Sequence, residues 1–400
     1  MISAKMKPLV ENNSVIRQMF EEGKRLAAIY GSENVYDFSL GNPNVPAPET
    51  VKESILEILE EEESTFVHGY MSNAGYEDVR GTIADSLNTR FGTSFGANNI
   101  LMTVGAASGL NVILKTILDP GDEVITFAPY FVEYGNYVRN YDGNLVVIPP
   151  NFIDFQPDLA ELAKKITART KAVLINTPNN PTGVVYSEET LKQMAGVLRQ
   201  KGQELHQNIM LISDEPYREL AYDGVKVPYV TRYYENTVVC YSYSKSLSLP
   251  GERIGYLVIP DELKDSEAVF AAATIANRVL GSVNAPSLMQ RVIKRCIEKN
   301  AAVNLAAYDR NRNLLYEGLK ACGFFCVRPQ GAFYLFMKSP IADEKEFCSQ
   351  AEKYRLLLVP GSSFACPGYV RIAYCVSYEQ IERSMAAFQS LAKEYGLMGG

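Results

Sequence analysis

Asn180, Asp214 and Lys245 are polar residues that each stand at or just beyond the end of a short apolar run, spaced 34 and 31 residues apart. Each interval matches one strand–helix–strand unit of roughly 30 residues or more. The runs end at Asn176, Ser213 and Tyr241. Ligands of open parallel sheets bind beyond the carboxyl ends of the strands, so the spacing predicts that the three side chains meet in one crevice. Any one of them alone is as easily a solvated loop residue. Together they have a chemistry. A lysine amine can form a Schiff base with a carbonyl, and an aspartate can keep a pyridine nitrogen protonated so that the ring accepts electrons from a breaking bond.

The surroundings of Lys245 suit an anion as well. In the stretch from Ser242 to Gly255, Ser242 and Ser244 precede the lysine and Arg253 follows it in a turn-rich loop. A guanidinium matches phosphate because its planar fork donates two parallel hydrogen bonds. Upstream, Gly105, Ala106 and Ala107 form a small-residue turn that opens an apolar helix, where free backbone N–H groups and the helix dipole favour negative charge. No G-x-G-x-x-G or P-loop spacing competes with it. A further cation, Arg371, lies inside the apolar run Tyr369 to Ala373. Burying it is costly without an anionic partner, which leaves an internal salt bridge and a bound carboxylate as the alternatives.

These residues need a scaffold of alternating strands and helices, and from about residue 97 to 260 the sequence supplies one. Strands are predicted over Asp122 to Ala128, Leu145 to Ile148, Ala172 to Asn176, Ile209 to Ser213, Thr237 to Tyr241 and Gly255 to Ile259, with a helix over Thr190 to Gln200. The class is α/β, a mainly parallel sheet flanked by helices. A first helix is expected over Ser14 to Tyr30, followed by a Pro-rich connection over Gly41 to Pro48. Beyond about residue 290 the texture changes to a smaller α+β unit. One long helical stretch, Leu288 to Gly318, leads into strands at Phe324 to Val327, Ala332 to Met337, Leu356 to Val359 and Tyr369 to Ala373, then a helix over Tyr378 to Tyr395. The expected division is an N-terminal segment 1–45 that packs with the small domain, a large domain 46–287 and a small domain 288–400.

Of the 400 residues, 47% are hydrophobic and 21% charged, values of a soluble globular chain. A net charge of -7 without a basic stripe argues against nucleic acid. The acidic run Glu60 to Glu63 closes an amphipathic pattern and reads as a solvated helix face. Seven cysteines without a C-x-x-C pair fit reduced thiols in a cytoplasmic protein, and His68 and His206 offer little to a metal. No basic start runs into an apolar stretch, so neither export nor membrane insertion is expected.

The pattern S-x-S-K-x-x-x-x-x-G-x-R-x-G from Ser242 to Gly255 resembles the cofactor-attachment signature of class I and II aminotransferases, enzymes of pyridoxal 5'-phosphate (PLP). Asn180-Pro181-Thr182-Gly183 is similar to their N-P-x-G turn and Asp214-Glu215-Pro216-Tyr217 to their D-x-x-Y motif. The likeness extends from Gly41-Asn42-Pro43 through Tyr70, Gly75 and Arg80 to Gly331-Ala332-Phe333-Tyr334 and Val370-Arg371-Ile372.

The resemblance implies the PLP-dependent transferase fold type I and a ping-pong transfer of an amino group from an L-amino acid to a 2-oxo acid. It implies that Lys245 holds PLP as a Schiff base and shuttles the α-proton, and that Asp214 pairs with the pyridine nitrogen. Asn180 and Tyr217 would bond the ring hydroxylate. The phosphate would fall to Ser242, Arg253 and the amides after Gly105 at Ala106 and Ala107, with help from Ser244. Phe131 would stack on the ring. Arg371, with Asn180 and the Gly41 amide, would take the substrate carboxylate. Tyr70 would reach the phosphate of a neighbouring subunit, which requires a homodimer. Aspartate is the expected donor and 2-oxoglutarate the acceptor, with Arg278 as the nearby candidate for a second carboxylate and solvent exposure as its simpler role. A β-lyase or decarboxylase on the same fold is the alternative. A PLP-binding transcriptional regulator is disfavoured, because the likeness begins by about residue 14 and leaves no room ahead of it for a DNA-binding module.

Overall fold

The computed structural model describes residues 1–11 and 15–398; Ser14, the expected start of the first helix, lies outside them, and that helix runs over Val15–Tyr30. The strands are β1 (Tyr36–Asp37), β2 (Ile100–Thr103), β3 (Glu123–Phe127), β4 (Asn144–Ile148), β5 (Thr170–Asn176), β6 (Met210–Asp214) and β7 (Thr237–Ser242). After them come β8 (Gly255–Val258), β9 (Cys326–Val327), β10 (Tyr334–Lys338), β11 (Leu356–Leu357), β12 (Val359–Pro360) and β13 (Tyr369–Ala373).

Seven strands form the central sheet in the order β2-β8-β7-β6-β5-β3-β4. Only β8 runs against its neighbours, pairing antiparallel with both β7 and β2. The strands read as unbroken apolar runs because both sheet faces are covered. Val124, Leu174 and Ile212 pack with the helix Ala106–Ile117 on one face, while Ile125, Val173 and Leu211 pack with the helix Glu188–Leu205 on the other. Alternate residues thus enter opposite cores, the pattern of a parallel sheet between helical layers.

A second sheet, β12-β13-β10-β9, is antiparallel and packs against the helices Leu305–Ala321 and Tyr378–Glu394. The N-terminal segment joins this part of the chain through β1, which pairs in parallel with β11 at Tyr36 to Leu356.

Three expectations need correction. The stretch Leu288 to Gly318 is two helices, Ser287–Glu298 and Leu305–Ala321. Asn300 adopts a left-handed φ of 52° that a helix interior excludes, and Asn304 starts the second helix by accepting from the Ala307 amide through its side chain. The run Leu356 to Val359 is two strands, since the chain leaves β1 and joins β13 on passing Leu358. The acidic run is more than a solvated face: Glu62 bonds Arg291 at 2.5 Å, and Glu61 bonds Arg295 at 2.9 Å. These contacts dock the helix Glu49–Glu61 onto Ser287–Glu298.

Candidate active site

Strand register brings the chemistry together. Asn176 at the end of β5 pairs with Asp214 at the end of β6, which pairs with Cys240 near the end of β7. Beyond these ends lies a cavity of about 310 Å³ whose lining includes Asn180, Asp214, Tyr217 and Lys245. A larger cavity of about 370 Å³ lies behind Tyr241, Tyr243 and Tyr256; its Arg90 is already paired with Glu219 at 2.7 Å.

Asp214 is buried and its Oδ2 accepts from Tyr134 Oη at 2.5 Å, while its Oδ1 has no hydrogen-bond partner. Burial pushes this carboxyl up to about 7, against the lowering effect of the Tyr134 hydrogen bond. Lys245 sits in the one-turn helix Tyr243–Ser246, which Ser242 starts by accepting from the Ser244 amide, and its Nζ donates to the Gly41 carbonyl at 2.8 Å. Burial lowers the amine to about 8, and the positive charges of Arg253 and Arg371 push the same way. Roughly a tenth of this lysine is therefore an unprotonated nucleophile at pH 7, and about half at pH 8, far more than of an ordinary lysine.

On one side of Lys245 lies the anion cradle. The helix Ala106–Ile117 starts with no side-chain cap, leaving the amides after Gly105 free. Gly105 has φ 85°, and a Cβ there would fall 2.7 Å from an Arg253 guanidinium nitrogen. Gly255, the last residue of the signature, lets β8 approach so closely that its own Cβ would lie 3.0 Å from the Gly105 Cα. Ser242 and Ser244 line the same end, their hydroxyls 2.8 Å apart, and Arg253 Nη1 reaches Ser244 Oγ at 3.4 Å. Phe131 lines the wall edge-on to Tyr134, with centroids 5.6 Å apart.

Arg371 closes the opposite side. It is 2% exposed on β13, and donates to Asn180 Oδ1 at 3.2 Å and to the Ser39 carbonyl at 2.5 Å. Among the described residues it has no carboxylate partner and its Nε is unbonded. This disfavours the internal salt bridge and leaves a buried positive charge facing the cavity. Tyr217 Oη lies 3.0 Å from Tyr334 Oη.

Gly41, Ala106 and Ala107 also line the cavity, so most of the expected set converges. Tyr70 and Arg278 do not line it. Tyr70 is 91% exposed, and Arg278 is exposed on the last turn of the helix Ser266–Val279. Sequence reasoning passed over Tyr134, Tyr137, Asn176 and Tyr334. Tyr134 lies in the first turn of the helix Glu133–Arg139, where its sequence neighbourhood does not set it apart from a core aromatic.

A family model described as Aminotransferase class I and II matches residues 32–388. The chain is 31% identical over 375 residues to an aspartate aminotransferase of Thermotoga maritima, covering 93% of this chain and 95% of that one. It is 30% identical to aromatic-amino-acid aminotransferase 2 of Thermococcus litoralis, with 97% of each covered. Among solved structures, an amino transferase from Eubacterium rectale superposes with a TM-score of 0.96 at 48% identity over 99% of both chains. These likenesses run through the strands and loops that build the site, and the chain belongs to the class I and II aminotransferase family and is a transaminase.

Proposed function

We propose that this cavity binds PLP and that the chain passes an amino group from an L-amino acid to a 2-oxo acid in two alternating half-reactions, with aspartate as a donor and 2-oxoglutarate as acceptor. The observation that carries the reading is a buried carboxylate oxygen without a partner, Asp214 Oδ1, lining the same cavity as a lysine whose proton burial loosens. PLP fits that pair, since Asp214 would satisfy its pyridine nitrogen and Lys245 would hold its aldehyde carbon. When bound, the cofactor supplies a sink for the electron pair released as the substrate's Cα–H bond breaks.

The chain's own residues do the rest. Asp214 stabilises positive charge on the ring nitrogen. Tyr217 and Asn180, which line the cavity, would bond the ring hydroxyl. Arg253, Ser242, Ser244 and the amides of Ala106 and Ala107 hold the phosphate, and Phe131 covers the ring. Lys245 Nζ would anchor the cofactor and would move the proton at the substrate's Cα. Arg371 grips the α-carboxylate, which fixes the Cα–H bond in the orientation the lysine needs. Arg278 lies outside this protomer's own cavity, so within one protomer Arg371 is the carboxylate clamp.

The reading extends to a homodimer in which Tyr70 completes the partner's phosphate site, and to a cytoplasmic location supported by seven unpaired thiols. Among the described residues no helix is long and apolar enough to cross a membrane. Because the helix Ser287–Glu298 packs with Glu49–Glu61 and Glu77–Phe91, the large domain is better ended in the connection 299–304 than at residue 287.

The test is borohydride reduction of the PLP-loaded protein followed by peptide mapping, with aspartate, alanine and phenylalanine then assayed as donors. Label on Lys245 alone and release of a 2-oxo acid without ammonia are expected, and capture by the apo-protein should rise with pH through about 8. Label on another lysine would overturn the site, and ammonia release would overturn the reaction.

A further inference from the structure

We propose that Tyr334 is a positioning residue that couples the two ends of the site, its hydroxyl setting Tyr217 and its ring setting the Arg371 guanidinium. Tyr334 opens β10, is 3% exposed and lines the cavity. Its hydroxyl is 3.0 Å from that of Tyr217, and the two rings meet nearly perpendicular at 82°. Tyr217 has one proton to donate. For that proton to remain available to a ligand in the cavity, Tyr334 must be the donor of the pair. A donor behind Tyr217 also polarises it and strengthens its own donation forward.

The ring does a second job. The Arg371 guanidinium lies 4.7 Å from the Tyr334 ring centroid and 4.8 Å from that of Phe364, so two aromatic rings hold it. Its hydrogen bonds to Asn180 and Ser39 then fix its rotation. For a cation without a carboxylate partner, these ring contacts supply electrostatic support that water would otherwise give. The Tyr334 hydroxyl also abuts Gly41, where any Cβ would collide with it, and the Gly41 carbonyl is the group that accepts from Lys245. One side chain thus touches the tyrosine and the arginine of the site and the backbone that holds its lysine. Burial holds the Tyr334 hydroxyl up to about 12, so it keeps its proton throughout the working range.

The hydroxyl half of the inference rests on the assignment of Tyr217 to the cofactor's ring hydroxyl, and the test separates the two. PLP-loaded Tyr334→Phe, Tyr334→Leu, Tyr217→Phe and the double variant Tyr217→Phe/Tyr334→Phe are compared by melting temperature. The pH midpoint of the bound cofactor's visible absorbance, the PLP dissociation constant, and KM and kcat for the fastest donor of the panel are then measured. A less polarised Tyr217 leaves more negative charge on the ring oxygen, which holds the neighbouring proton more tightly. Tyr334→Phe should therefore raise the absorbance midpoint by about half a pH unit or more, with KM changed less than about twofold because the ring remains. Tyr334→Leu should give the same shift and also raise KM by roughly threefold to tenfold, with a smaller fall in kcat. Adding Tyr334→Phe to Tyr217→Phe should bring no further shift, since the hydroxyl acts through Tyr217. A midpoint that moves in Tyr217→Phe and stays put in Tyr334→Phe overturns the hydroxyl role. Unchanged KM in a folded Tyr334→Leu protein overturns the ring role. No shift in Tyr217→Phe overturns the Tyr217 assignment itself, and KM still decides the contact with Arg371.

Discussion

Asp214 bears a cost in the chain without its cofactor that binding relieves, and the sign of that cost can be worked out. Its folded carboxyl titrates at about 7, above the ordinary 3.8. Between those values the folded protein holds a proton that the unfolded chain has released, so the contribution to stability falls as pH rises through this window. Asp214→Asn carries no such charge. The apo-variant should be more stable than the apo-protein at pH 8 by on the order of a few kcal/mol, with the gap narrowing toward pH 5. Melting curves at the two values decide it, and an equal gap at both would remove the buried charge as the cause. The same residue was legible in the sequence because a carboxylate at a strand end is conspicuous, and the same holds for Lys245 and Asn180. Tyr134 and Tyr334 were not, because an aromatic side chain beside apolar residues reads as core until its hydroxyl is seen to bond Asp214 or Tyr217.

The elements act on the site through close backbone approach. The turn into the helix Ala106–Ile117 and the start of β8 meet at Gly105 and Gly255, and Arg253 fills the space a side chain at Gly105 would take. Gly105→Ala combines a disfavoured positive φ with a displaced Arg253, so the apo-protein should bind PLP at least about tenfold more weakly. Gly121→Ala is the matched control. Its φ of 90° is likewise disfavoured for an L-residue, but nothing lies within 4 Å of the added Cβ. It should lower the melting temperature and leave the PLP dissociation constant unchanged; equal losses of affinity in both variants would assign the effect to strain alone. Most strands of the central sheet were readable from their apolar runs, because both faces are buried. β2 was not singled out, being four residues long and antiparallel to its only partner, β8. The break at 299–304 also escaped, because Ala301, Ala302 and Val303 continue an apolar texture, and the turn depends on the left-handed Asn300.

At the scale of the whole molecule, several large apolar side chains are exposed on two neighbouring segments. Phe66, Tyr70, Ile275 and Val279 are all exposed, and the two segments that carry them are tied together where Asn284 donates to the Ser72 carbonyl at 2.9 Å. Exposed apolar side chains on two tied segments suit an interaction surface, and a two-fold dimer would cover them with its own copy. The proposed dimer places Tyr70 at the partner's phosphate site, which a mixing experiment can separate from a role in its own protomer. Lys245→Ala and Tyr70→Ala proteins are each purified, unfolded together and refolded. In a mixed dimer with Tyr70 acting across the interface, one site combines an intact Lys245 with an intact Tyr70, so activity should rise above the sum of the two variants refolded separately. If Tyr70 served its own protomer, every mixed site would lack one of the two residues and no rise would occur. Light scattering on the same samples establishes the dimer, and an active protein of monomeric mass would remove the role of Tyr70 across an interface.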